Sequence, residues 1–528
     1  MLRLSMKLAL VVSFAMLAGG PAGCSANRSM MPGTEPQDSH ASQAGAMTPL
    51  AAQPPVVMQM AWLMTDGSVL TQSEFAPQDF YRYTPDSKGD YSNGTWKKTG
   101  SLPPGYAPTD FASDLLADGR LVISGGEYNV GGKYGLQLVN LGAVYDPVKA
   151  TWTSVGHPEG WRWIGDSPSS VLADGRLLLG DKLMRQDAYL NPRTLLWTRV
   201  SHAGKADYNA EEGWTLLADG TVLTLDVRKA PNSEIYNPAT SRWKSAGSTI
   251  VDLHSPSPDK SCVPYGPKPK DCYVAPGEIG PALLRPDGTV FCTGSFTGPQ
   301  GTGAGHTAIY YSTGSNAGKW VAGPDFPNGD NAADQFSVLE PSGNVLVFGI
   351  SGALYEWNGK TFRQVQGASG VGPPILLPTG QVMMTAASIV VLYTPKGSPR
   401  SSWAPVIKSY PKDLTPGKTY KITGTQFNGL SQAMSYGDED QNPTNYPLVR
   451  ITNKASGRVY YLRTHDNSTM GVATGSKRVW THFDVPLGIA SGTDRLEVVA
   501  NGIASKPVNA TVAGSRLRDR SAAQVRSN

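Results

Sequence analysis

The run Leu115-Leu116-Ala117-Asp118-Gly119-Arg120-Leu121-Val122-Ile123 decides how the chain reads. Two apolar runs joined by Asp-Gly are a strong short-range hairpin signal, and a type I′ turn with positive φ at both Asp and Gly is expected. The pattern recurs at Asp66-Gly67, Asp174-Gly175, Asp219-Gly220, Asp287-Gly288, Ser342-Gly343 and Thr379-Gly380. Behind each hairpin comes a β-rich segment carrying Tyr83, Tyr145, Tyr189, Tyr236, Tyr310, Tyr355 or Tyr393. A further segment then opens on Trp96, Trp152, Trp197, Trp243, Trp320, Phe362 or Trp403. Four strands repeated every roughly 40–55 residues are the signature of a β-propeller with one blade per unit. Seven units predict an all-β, seven-bladed propeller over residues 55–404.

Composition agrees. The 528 residues include 59 Gly and 41 Pro but only 17% charged residues, a mix suited to short strands and tight turns rather than helices. The formal net charge of +4 gives no reason to expect nucleic acid as a partner. No apolar run reaches the roughly 18 residues of a spanning helix.

Residues 1–24 read as an export signal. Arg3 and Lys7 form a positive start, Leu8 to Ala18 is a short apolar stretch, and Pro21-Ala22-Gly23-Cys24 resembles a bacterial lipobox in which Cys24 takes the lipid. The expected location is therefore the bacterial cell envelope, exported and either lipid-anchored or periplasmic/extracellular. Residues 25–54 carry no periodicity and read as a flexible tether. Cys262 and Cys272 bracket a Pro-rich loop that a disulfide would order in an oxidising compartment, while Cys292 lies in a strand pattern suited to a buried thiol.

Beyond Pro405 the blade pattern stops. Strand patterns around Thr419–Gly424, Tyr446–Ile451, Arg458–Leu462 and Leu496–Ala500 have sandwich spacing, so residues 405–513 read as an immunoglobulin-like domain. Residues 514–528, with four Arg, read as a disordered basic tail.

Kelch-type hairpins closed by such a domain resemble the galactose oxidase and glyoxal oxidase family. The resemblance implies a C-terminal domain of the family's early set, packed on the propeller, with a loop entering the central channel. It also implies a copper radical oxidase, whose metal is held by two tyrosines and two histidines, one tyrosine being cross-linked to a cysteine. Carried over by position, that set is missing. Gly370 and Val371 stand where the family has its Tyr-His pair, Asp166 where it has the cross-linked tyrosine, and Ala112 near its cysteine. His465 alone matches, in the loop taken as the channel plug. Copper(II) needs several nitrogen and oxygen donors at fixed positions, so no copper cofactor is expected.

Residues just before each inner strand should surround the channel mouth. They are Asp110, then Trp161, Arg162, Trp163 and Asp166, then Glu211, Glu212 and Trp214, then Glu278 and Asp330 to Asp334, with His465 added from the plug. Trp faces flanked by carboxylates suit a sugar or a cationic ligand. Converging carboxylates also suit a hard cation such as Ca²⁺. Asp438-Glu439-Asp440-Gln441-Asn442 has the alternating oxygen ligands that open a calcium loop but lacks its Gly and final Glu. The expected function is a non-catalytic module binding a carbohydrate or an envelope protein. The alternatives are a divergent oxidase, a carboxylate-based carbohydrate enzyme, and a purely structural envelope protein.

Overall fold

The computed structural model describes residues 45–130, 138–255, 263–264, 272–273, 277–298, 302–370, 372–386 and 389–514. Cys24 and Cys262 lie outside them, so the expected lipidation site, the disulfide and the basic tail do too.

The chain is all-β, and its strands form many antiparallel sheets. Each Asp-Gly motif does build a hairpin, but not of the expected type. In the motif quoted above, Gly119 N–H donates to Leu116 O at 2.9 Å and Leu116 N–H to Arg120 O at 2.8 Å. The loop is therefore three residues long, and Gly119 (φ 84°) is left-handed while Asp118 is not. This is a type I turn closed by a left-handed residue. The Asp carboxylate caps it by accepting from the N–H two residues on, Arg120 at 3.1 Å here and Thr221 from Asp219 at 3.0 Å. That bond is why the position prefers Asp, or Ser at Ser342.

Seven sheets follow in order. Their first strands are Met58–Leu63, Ala112–Leu115, Ser169–Val171, Trp214–Leu216, Ala282–Leu284, Ser337–Leu339 and Gly372–Leu376. From the second to the seventh, each first strand lies beside the next, and that of the seventh lies beside that of the first. Trp62 Nε1, donating to Ser113 Oγ at 3.1 Å, joins the first to the second. The arrangement is propeller-like, and the buried core is shared between sheets. Paired outer strands set Tyr against Trp, as in Tyr145–Trp152 and Tyr236–Trp243, with ring centroids 5.2 and 5.1 Å apart.

Phe362 opens the outer strand of the sixth sheet, opposite Trp357. One expectation for the outer strands needs correction. Trp403 lies in a short 3₁₀ turn, Ser401–Trp403, and opens no strand. The outer strand of the last sheet is Met47–Pro49, in the segment read as tether, antiparallel to Ile389–Tyr393.

After Pro405 come two further sheets. One joins Val406–Ser409, Thr419–Thr425, Val479–Asp484 and Thr464–His465, the other Asp413–Leu414, Val508–Val512, Gly492–Ala500, Leu448–Asn453 and Val459–Leu462. Their facing sides bury Leu414, Ile422, Phe427, Val449, Ile451, Phe483, Leu496 and Val498. This unit sits on the turn end of the seven sheets. Asn467 N–H donates to Ala117 O at 2.9 Å and Thr464 N–H to Thr65 O at 3.1 Å.

Candidate functional site

The segment from Ser431 to Asn445 leaves the C-terminal unit and runs between the first strands to the opposite end. Met434–Ser435 pairs with Ser337 and Val338, adding a fifth strand to the sixth sheet. Trp62 Nε1 and Ser113 Oγ both donate to Gln441 O, at 3.2 and 2.5 Å. Asn442 Nδ2 donates to Ala61 O at 2.9 Å and Pro374 O at 2.8 Å. Asp440 N–H donates to Phe111 O at 3.0 Å. Bonds to the first, second and seventh first strands thus hold this plug from several sides, and Asp438, Glu439 and Asp440 emerge where the mouth residues converge.

This overturns the expectation for His465. Its Nε2 lies 3.2 Å from Asp484 Oδ1 and its Nδ1 2.8 Å from Asp466 Oδ2, and its neighbour Thr464 binds Thr65 at the turn end. The plug carries acids, not a histidine. The other described histidines are engaged elsewhere: His254 with Asp252, His306 with Asp325, His482 near Asp466, and His157 and His202 in outer loops.

At the mouth, Asp166, Glu211 and Asp438 surround one buried lysine that the sequence reading missed, Lys182. Its Nζ pairs with Asp166 Oδ2, with Glu211 Oε1 at 2.8 Å and with Asp438 Oδ2 at 3.5 Å. Burial raises the Asp166 carboxyl well above its ordinary value, against the pull of Lys182, and Glu127 and Glu211 add to the rise. Asp438 is held below the usual range, because the Lys182 ammonium and local hydrogen bonds outweigh its burial. Glu278 is raised well above the ordinary value by burial and by Asp334, and Glu439 by burial and by Asp438. Asp110, Glu439 and Asp440 form a further trio, with one oxygen of each within 4.8 Å of the others. Four of the residues here, Asp110, Glu211, Asp334 and Asp440, take left-handed φ of 46–58°. Such backbone is costly for residues with a Cβ and gathers at functional positions. Asp110, Glu127, Tyr128, Trp163 and Glu278 are half-buried and Asp334 is exposed, so the cluster reaches solvent. Arg162 stacks over the Trp163 ring at 4.1 Å on the rim.

Four predicted mouth residues face elsewhere. Trp161 and Trp214 are each 2% exposed and pack in the core, so neither offers a ring face to a ligand. Glu212 points away from its neighbour Glu211 into the fourth sheet, where Lys205 Nζ binds Glu212 Oε2 at 2.5 Å and Glu234 Oε2 at 2.8 Å. Asp330 is likewise turned inward, accepting from Ser351 Oγ at 2.5 Å and Tyr355 OH at 3.0 Å.

A copper radical site does not fit these residues. Asp166 is ion-paired, Ala112 is buried, and Gly370 packs near Phe348, Leu354 and Met384. The convergent donors are carboxylates, which suit hard cations, not the imidazole and phenolate that hold copper(II).

No protein-family model matches the chain, and no curated protein matches it. Among solved structures it is similar to a fungal alcohol oxidase of the AA5 family in complex with copper, at 14% identity over 89% of this chain and 98% of that one, with a TM-score of 0.46. It is also similar to YjhT, at 14% identity over 65% of this chain and 95% of that one, TM-score 0.34. A catalytically inactive virginiamycin B lyase from Staphylococcus aureus has 8% identity over 65% of this chain and 97% of that one, TM-score 0.41. At these scores the likenesses do not bear on what this chain does.

Proposed function

We propose that the seven sheets are the blades of one kelch-type propeller, that the C-terminal unit is an immunoglobulin-like domain, and that the protein is a non-catalytic carbohydrate-binding module. In this reading it is exported to the bacterial envelope and anchored by lipid on Cys24. The observation that carries the reading is the mouth itself: a ring of carboxylates around one buried ammonium, delivered partly by the plug and bordered by Trp163, with no imidazole among the described residues there. Sugar hydroxyls donate to carboxylates, and an amino sugar adds a charge they attract.

Isothermal titration with a panel of neutral and amino-sugar oligosaccharides tests this. Saturable binding that weakens at least tenfold in both Trp163→Ala and Asp334→Asn is expected. Hydrogen peroxide released from alcohols or aldehydes by the pure protein, or one tightly held copper per chain, overturns it. The carboxylate-based enzyme is kept as a second reading because Asp438 is held low while Asp166 and Glu278 are held high. Divergent protonation of this kind is what acid–base pairs need. Cleavage of any oligosaccharide in the same panel would favour it.

A further inference from the structure

Asp110, Glu439 and Asp440 come from two distant parts of the chain and meet only because the plug crosses the molecule. Each offers an oxygen within 4.8 Å of the others. That span is about twice the 2.3–2.6 Å of a calcium–oxygen bond, so small side-chain shifts bring all three oxygens onto one ion. Among the described residues no lysine or arginine is ion-paired to Glu439, which is only 6% exposed. Its Oε2 has no hydrogen-bond partner among the described residues, although a buried carboxylate oxygen normally finds one. The Lys182 ammonium at the mouth is already shared by Asp166, Glu211 and Asp438. Asp110 is half-buried and next to the exposed Asp334 side of the mouth, which supplies a route for an ion and for the waters completing its shell. The Asp440 N–H bond to Phe111 O fixes the plug beside Asp110, just ahead of the second sheet's first strand.

We propose that Asp110, Glu439 and Asp440 bind a divalent hard cation of the calcium type, which clamps the plug to the second sheet at the mouth.

The test uses the full chain, stripped with EDTA and dialysed, then titrated with Ca²⁺ alone, with Mg²⁺ and Mn²⁺ as comparison ions. Calorimetry should show one site per chain, and the unfolding temperature should rise with Ca²⁺ concentration as mass action requires. Glu439→Gln and Asp110→Asn should each weaken Ca²⁺ binding at least tenfold. Asp110→Asn, at a half-buried position, should do so while the metal-free protein still unfolds cooperatively. Failure of all three ions to bind or to shift unfolding overturns the proposal and leaves a proton-shared cluster. So does Ca²⁺ binding that is unchanged in both variants. Sugar binding is read separately, with EDTA present and absent. Loss of sugar recognition with the metal site intact would therefore count against the carbohydrate reading alone.

Discussion

Lys182 shows what one side chain holds together. Its ammonium is 3% exposed and faces three carboxylates. Removing one partner of a buried ion pair leaves uncompensated charge, at a cost of about 3–5 kcal/mol. Lys182→Met should lose roughly that much in urea denaturation at pH 7.5, and less at pH 5 as the carboxyls take up protons. Elsewhere, burial raises Glu340 to about 8 and Asp187 and Asp114 to about 7. A raised carboxyl means that the folded chain binds more protons than the unfolded one between the two pKa values. Stability therefore falls as pH rises. The urea midpoint should drop steadily from pH 5 to pH 8.5, and Glu340→Gln should flatten the slope; a midpoint that rises over this range would contradict the assignment. The sequence reading found Asp166, Glu211 and Glu278 because it collected residues that precede first strands. It missed Glu127 and Lys182 because a hairpin returns to its starting end. The residues shortly after the second strands Leu121–Ser124 and Leu177–Gly180 belong on the same mouth and could have been read the same way.

At the scale of elements, the plug decides what the mouth can do. Its position was not legible. His465 and the Asp438 run both lie in C-terminal loops, and only the threading between the first strands tells them apart. The acidic run carried a visible signal, alternating oxygen donors, that reads as a solvated loop until its burial is known. Turn chemistry, by contrast, was legible because Asp and Gly act on their own neighbours, although the loop length that separates a type I′ turn from the observed one depends on strand pairing. Two substitutions probe the plug's seat. Asn442→Ala strands Ala61 O and Pro374 O in a site where Asn442 is 1% exposed, and should cost about 2–4 kcal/mol in chemical denaturation. Gly213→Ala places a Cβ 2.0 Å from Gly437 O, next to Asp438. Backbone cannot yield cheaply there, so this variant should lower the unfolding temperature and shift the mouth carboxyls. Glycine is needed at Gly213 for close approach, not for its φ.

For the whole molecule, the seam is the point of interest. Six of the seven sheets draw all four repeat strands from one continuous stretch, but the last takes its outer strand from Met47–Pro49. Thr394 N–H donates to Ala46 O at 3.1 Å and Gln53 Nε2 to Val390 O at 3.0 Å, so the seam is tied by bonds between residues over three hundred positions apart. Closing so long a loop costs entropy that three ladder residues repay only because the other sheets are already packed. The sequence hid this arrangement. Trp403 follows Tyr393 at the spacing of the other units, and a three-residue strand inside a Pro- and Ala-rich stretch has no periodicity of its own. A chain beginning at Ala51 should therefore still fold, because Gln53 and the other sheets remain. It should unfold at a lower temperature and lose amide-exchange protection first along Ile389–Tyr393, where Met47–Pro49 no longer covers the edge. Uniform loss of protection across all sheets would instead mean that the seam strand is required for the fold itself. Unchanged exchange at Val391 and Tyr393 would mean that the strand adds nothing to the seam.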